Sequence, residues 1–302
     1  MVIPYFDAHC DTLSVLHSRG AEWSLGANAA QVDIDRLSAY SPAAQVFAIW
    51  GGHYEEKLAL LRRGLARDGR AVLCRTAEEV RKANAAGKVA ALLSVEGAEI
   101  LGCSIERLRE ARERDGLAMI NLCWNSDNAL CGAAMDSGSG LTDAGRAFVR
   151  AAQDAGVAVD LSHASERTFW DVLETAQKPV IASHSNAAAL SSEFPRNLTD
   201  EQFTALVECG GGAGLNLCAG FIGLGRDIGA CCAHIEHFLA LGGEKSLFLG
   251  TDFDGIAAVP RGLYGVQDMW KLYEALLKRG HSEELVQDIF YGDLLRILGR
   301  TA

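Results

Sequence analysis

The 302-residue chain holds no run of about 18 or more uninterrupted apolar residues, so no segment reads as a membrane-spanning helix. Its first residues, Met-Val-Ile-Pro-Tyr-Phe-Asp, bring no basic stretch and no long apolar core, and no hydrophobic tail closes the chain at Ala302. No export signal, no lipid anchor and no membrane partner are therefore expected. Positive charge is in deficit, with 28 Lys+Arg against 39 Asp+Glu and a formal net charge of −11. That argues against nucleic acid as a partner, because a phosphate backbone is held by clustered cations. The nine cysteines contain no C-x-x-C and no zinc-ribbon spacing. Their odd count predicts reduced thiols in a cytoplasmic protein rather than a disulfide framework. Also missing are a Walker loop, a G-x-G-x-x-G turn opening a helix and a G-x-S-x-G elbow, which leaves nucleotide binding and serine-nucleophile chemistry without support. No linker rich in Pro, Gly and Ser divides the chain, so a single domain over 1–302 is expected.

What is present is the composition of a folded globular protein, 49% hydrophobic and 22% charged. Apolar, β-rich runs at 2–7, 44–50, 89–95, 118–123, 157–161, 180–183, 212–217 and 247–251 alternate with amphipathic stretches such as 54–67, 143–155, 166–175 and 228–241. A further run at 71–74 leaves open whether a ninth strand exists. The runs are near-continuous rather than alternating, as in strands covered on both faces. Eight βα units predict an α/β fold, a single (β/α)8 TIM barrel, with the helical tail at 266–298 forming a last barrel helix and a C-terminal extension.

Ionisable residues recur at the C-terminal ends of these runs, which is the catalytic face of such a barrel. His9 and Asp11 follow the first run and, two residues apart on an extended segment, share a face. Glu96 ends the third run, His163 the fifth, His184 the sixth and Asp252 the eighth. One histidine at a strand end is more often a hydrogen-bonded structural residue. Three of them with three carboxylates at one barrel mouth need a counter-charge, since clustered carboxylates repel and resist ionisation. Divalent cations supply it, zinc suits the mixed donor set, and one carboxylate bridging two ions would make a binuclear hydrolytic site. His234 and His237, one helical turn apart, read as a solvated helix face, as do Glu236 and Glu244; Asp254 also reads as a non-ligand.

At these positions the chain resembles the membrane dipeptidase (renal dipeptidase) family, amidohydrolase-like barrels that use two zinc ions. The resemblance covers most of the chain and rests on motifs in order: His9-x-Asp11, Glu96-Gly97, Gly140-Leu141-Thr142, Asp160-Leu161-Ser162-His163, Ala182-Ser183-His184-Ser185, Pro195-Arg196-Asn197-Leu198 and Gly250-Thr251-Asp252-Phe253-Asp254-Gly255. It implies that His9 and Asp11 hold one zinc, that Glu96 bridges, and that His163 and His184 hold the second. It further implies that Asp252 shuttles the proton from a bridging hydroxide to the leaving amine, and that Arg196, with Asn197 beside it, binds the substrate carboxylate. The expected substrates are small L-Xaa-L-Xaa and L-Xaa-D-Xaa dipeptides, and a homodimer is the expected assembly. One position departs from the family: after the fourth run, where a histidine often contacts the substrate carbonyl, this chain carries Trp124. An indole N–H donates one hydrogen bond and transfers no proton. Two other readings stay open here, the same site acting on another carboxylate-bearing amide and a barrel that keeps its metals without catalysis.

Overall fold

Pro4 cannot donate to a strand ladder. The first strand accordingly begins after it, with Tyr5 N–H bonded to Pro42 O at 2.9 Å, and β1 runs Tyr5–Cys10 rather than from residue 2. In the computed structural model, which describes residues 2–20 and 24–301, eight more strands follow. These are β2 Ala43–Trp50, β3 Ala71–Leu73, β4 Val89–Glu96, β5 Leu117–Asn121, β6 Ala158–Asp160, β7 Ile181–Ala182, β8 Gly212–Leu215 and β9 Leu247–Leu249. Neighbours pair in parallel in the order β2-β1-β9-β8-β7-β6-β5-β4, and the β2–β4 pairing closes an eight-stranded barrel. The run at 71–74 is a strand outside that ring. β3 pairs with Val89–Ala91 of β4, and β5 takes the same strand only from Leu93 onward, so β3 fills the part of the edge that β5 does not reach.

The barrel explains why the strand sequences are apolar at nearly every position. Phe47, Ile49, Leu93 and Val95 pack in the large core with the surrounding helices, whereas Ala44, Val46, Ala90 and Leu92 join a second cluster with Phe6, Ala158 and Phe248. Leu294, Ile297 and Leu298 of the C-terminal helix Asp293–Thr301 belong to that second cluster, so the helical extension covers the barrel end opposite the strands' C-termini. Helices start at side-chain caps, among them Thr76, Ser104, Thr142, Ser165, Thr199 and Asp227, each accepting from a backbone N–H three residues on. Thr142 of the Gly140-Leu141-Thr142 segment is thus a helix cap. No described helix is long and apolar enough to cross a membrane. All nine cysteines are free thiols.

Register sets the polar end of the barrel. Trp50, Glu96, Asn121 and Asp160 are direct partners across β2, β4, β5 and β6, so the last residues of four strands form one lateral row. On β1 the ladder slips: Asp7 pairs with Gln45 but Cys10 with Phe47, three steps against two. Such a bulge re-aims the side chain beyond it. Phe6 and Ala8 pack with the lumen cluster and Cys10 with the outer core, and the extra residue lets His9 face the lumen as well.

Candidate metal centre

The bulge brings His9 to within 3.6 Å of Glu96 Oε2 and 3.4 Å of Asp11 Oδ2, all through Nε2. The other oxygen of Glu96, Oε1, lies 2.8 Å from His163 Nε2 and 3.5 Å from His184 Nε2. Glu96 therefore divides its two oxygens between two donor sets, His9 with Asp11 and His163 with His184. Asp252 Oδ1 stands 4.0 Å from His9 Nε2 on the first side. All six side chains are buried.

The strand ends are wired together so that these groups converge. Asp7, beneath the site, accepts from Thr251 N–H at 2.8 Å, Thr251 Oγ1 at 2.6 Å and Gln45 Nε2 at 3.1 Å, tying β1 to β2 and to the segment after β9. Asp160 Oδ1 accepts from Ser162 N–H and Ser183 N–H, joining the segments that carry His163 and His184. Ser162 Oγ in turn accepts from His184 N–H at 3.0 Å. His163 has φ 74° and Asp252 φ 59°, left-handed conformations that cost a non-glycine residue about 1–3 kcal/mol and persist where the surroundings over-determine them. Gly255 has to be a glycine, since a Cβ there would lie 2.2 Å from Asp11 Oδ2 and 2.6 Å from Asp252 Oδ1.

Electrostatics separate the two halves. Burial holds the imidazoles of His163 and His184 well below their ordinary value, helped by Arg196 and His9, so both are neutral donors. Burial also pushes His9 down, but Glu96, Asp11 and Asp252 outweigh it and hold that imidazole at about 10. Burial raises Glu96 well above the carboxylate range and Asp252 to about 6. Three carboxylates around one imidazole favour a positive charge between them. Tetrahedral ligands at 2.0–2.2 Å from zinc lie about 3.4 Å apart, close to the 3.4–3.6 Å spacings around His9. Asp11 Oδ1 is buried without a hydrogen-bond partner, and the facing Nε2 atoms of His163 and His184 are 3.0 Å apart. On spacing, donor chemistry and the orphaned carboxylate oxygen, the residues fit divalent ions.

Two of the cluster's imidazoles are oriented from behind. Asn125 Oδ1 lies 2.8 Å from His163 Nδ1, and Ser183 Oγ 2.6 Å from His184 Nδ1. Asn216 Nδ2 donates to Asp252 Oδ2 at 3.0 Å. A cavity of about 470 Å³ opens over the cluster, lined by Asp11, Trp50, Trp124, Arg196, Phe221 and Asp252 among others. Arg196 is 5% exposed, and among the described residues its guanidinium has no ion-pair partner, only the Phe221 ring at 5.7 Å. Burial lowers its pKa from the ordinary arginine value. Trp124 stands edge-on to Trp50, centroids 5.0 Å apart.

Asn197 differs from expectation. Its Nδ2 is committed to the carbonyls of Ser191 and Phe221, at 2.8 and 2.9 Å, and it lines a neighbouring cavity rather than the central one. It fixes the loop that carries Arg196. His234 is also not on a solvated face: it is buried, accepts from Ala187 N–H at Nδ1 and faces Ile222 O through Nε2. His237 pairs with Asp200, and Glu236 with Arg279. Asp254 binds Thr12 Oγ1 at 2.6 Å and Gln31 N–H at 2.8 Å, a loop-holding role. Residues the sequence reading passed over are Asn125, Asn216, Trp50 and Phe221. Asn216, a lone polar residue in the apolar run 212–217, and Trp50, last in β2, carried the same strand-end signal as the ligands.

The chain is similar along its whole length to proteins of one family. The sequence profile described as Membrane dipeptidase (Peptidase family M19) matches residues 1–302. The chain is 31% identical over 258 residues to an uncharacterized protein in the pqqA 5′ region of Klebsiella pneumoniae, covering 80% of this chain and 94% of that one. It is 33% identical over 225 residues to an uncharacterized dipeptidase of Schizosaccharomyces pombe, covering 71% of this chain but only 54% of that longer protein. Its fold matches a metallo peptidase from Rhodobacter sphaeroides, solved with a phosphinate mimic of the dipeptide L-Ala-D-Ala, with TM-score 0.89, 27% identity and 100% coverage of both chains. With the whole length matched, the chain belongs to the membrane dipeptidase family, peptidase family M19, and is a hydrolase of peptide bonds.

Proposed function

We propose that the chain cleaves small dipeptides, L-Xaa-L-Xaa and L-Xaa-D-Xaa, with two zinc ions held by His9, Asp11, Glu96, His163 and His184. The observation that carries this reading is Glu96, whose two oxygens face two separate donor sets at 2.8–3.6 Å. When bound, the ions supply positive charge and a water activated near neutral pH, the chemistry of binuclear hydrolases.

The remaining work falls to the chain's own groups. Asp252, held by Asn216 through Oδ2, has Oδ1 free on the His9 side of the cavity, where it can take a proton from the attacking water and deliver it to the leaving amine. Arg196 offers a buried guanidinium without a protein carboxylate on it, a planar fork matched to the substrate's C-terminal carboxylate. Trp50, Trp124 and Phe221 form an apolar wall that excludes water around the scissile bond. The L-Ala-D-Ala mimic bound by the Rhodobacter sphaeroides relative supports a D-residue at the C-terminal position. Nine unbridged thiols fit a reducing compartment, the cytoplasm.

The test is hydrolysis of L,L- and L,D-dipeptides, together with N-acyl amino acids, by the zinc-loaded and then chelated protein. Dipeptide turnover that chelation abolishes and zinc restores is the expected result. Turnover of N-acyl amino acids alone would move the function to another carboxylate-bearing amide. No loss on chelation would sink the metal assignment.

A further inference from the structure

A second cluster of metal-ligating side chains lies outside the barrel mouth. His17, on the helix Thr12–Arg19, places Nε2 2.5 Å from Glu56 Oε2, and His53 places Nδ1 3.1 Å from the same oxygen. The two imidazole rings face each other with centroids 4.6 Å apart. All three donor atoms fall within 4.8 Å of one another. Among the described residues Glu56 has no other ion-pair partner, and the adjacent Glu55 is engaged by Arg114.

The backbone presents this cluster deliberately. His53 is a non-glycine residue in the left-handed region, φ 67° and ψ 40°, immediately after Gly51 and Gly52 and immediately before the helix Tyr54–Asp68. That conformation is uncommon outside glycine, asparagine, aspartate and histidine. It turns His53 back over the first helical turn, where Glu56 sits three residues on.

We infer that His17 Nε2, His53 Nδ1 and Glu56 Oε2 form a peripheral binding site for one zinc-type divalent ion, separate from the central cluster. Two imidazoles and a carboxylate are a donor set zinc accepts, with water completing the tetrahedron. The required ligand separation is about 3.4 Å at 2.0–2.2 Å bond lengths. His53 to Glu56 is already near that spacing, and the exposed Glu56 side chain needs to withdraw by less than 1 Å from His17. The ion replaces the two contacts on Glu56 Oε2 with three coordinate bonds to the same groups.

The position has a consequence for the cavity. The helix bearing His17 contributes Ser14, Val15 and Ser18 to the cavity lining, and the short turn before His53 starts at Trp50, which lines it too. An ion between them would tie two walls of the cavity mouth together.

The experiment uses the intact protein, saturated with zinc at the central site and desalted. Zinc is then titrated calorimetrically into the wild type, His17→Ala, His53→Ala and Glu56→Gln. The wild type is expected to take up one further equivalent, with a rise in Tm, and each variant to lose that event while keeping its central metal content and circular dichroism. Copper(II) added as the extra equivalent is expected to give an electron paramagnetic resonance signal with coupling to two imidazole nitrogens. No further equivalent in the wild type, the same uptake in the His17→Ala/His53→Ala double variant, or a copper signal without nitrogen coupling would each overturn the site.

Discussion

Asn125 holds His163 from behind: its Oδ1 lies 2.8 Å from Nδ1 of the imidazole, which fixes the tautomer with the proton on Nδ1 and leaves Nε2 facing Glu96 Oε1 at 2.8 Å. Metal-facing histidines depend on such partners for ring orientation, and their loss typically costs 10–100-fold in metal affinity. Asn125→Leu should therefore release metal about 10–100-fold more readily to a competing chelator. Circular dichroism should stay unchanged, since Asn125 is only half-buried and its neighbours need no repacking. Undiminished metal retention would show that His163 is held by packing alone.

Arg196 is the charge expected to read the substrate's carboxylate. Truncating one partner of a buried charged pair costs about 2–5 kcal/mol, so Arg196→Ala should cut kcat/KM on free dipeptides by well over tenfold, mostly through KM. C-terminally amidated dipeptides, which offer Arg196 no carboxylate, should lose little. Arg196→Lys should recover only part, because an ammonium lacks the bidentate fork. Equal losses on both substrate classes would remove Arg196 from substrate binding.

Asp252 sits with His9 and Asp11 among donors that could hold a metal ion, and its proposed role is to carry the proton instead. Its Oδ1 is farther from His9 than either Glu96 or Asp11 is, and its other oxygen is held by Asn216. Asp252→Asn keeps the shape and the Asn216 contact while removing the proton carrier. Turnover should fall about 10²–10⁴-fold, with the metal content of the purified variant unchanged. Loss of metal alongside activity would make Asp252 a ligand instead.

The eight-stranded count and the meeting of His9, Asp11, Glu96, His163 and His184 at one barrel end were legible because both depend on short-range pattern: apolar runs of strand length, and ionisable residues at the point where each run stops. What was not legible depends on long-range register. The bulge in β1 is invisible in Tyr5–Cys10 itself and appears only in its pairing with β2. β3 reads like a barrel strand, yet it occupies only the stretch of β4 that β5 leaves uncovered. Asn197 follows Arg196 in a motif, but its amide is consumed by two carbonyls that no local pattern reveals. His234 and His237 share a helix face, and tertiary packing buries the first while leaving the second to pair with Asp200.

Trp124 stands where the resemblance led us to expect a histidine, and its contacts indicate what the indole does there. It meets Trp50 edge-on at 5.0 Å and lies 6.2 Å from the His163 ring, so it closes the cavity above the second donor set with apolar surface. Its one N–H donates a hydrogen bond but serves as neither acid nor base near neutral pH. Trp124→His should trade wall for donor. A recovered oxyanion donor is worth up to about 10²–10³ in rate when well aimed, and from this unoptimised position a rise in kcat of roughly tenfold on small dipeptides is expected. Exposing Trp50 and widening the cavity should at the same time raise KM for dipeptides with bulky apolar side chains, since burying such a side chain is worth about 1.5–3 kcal/mol. Steady-state kinetics on Ala-Ala and Leu-Leu would separate the two effects. A fall in kcat on both, with KM unchanged, would mean that the indole N–H of Trp124 already serves the carbonyl and that the chain had replaced the histidine without losing its hydrogen bond.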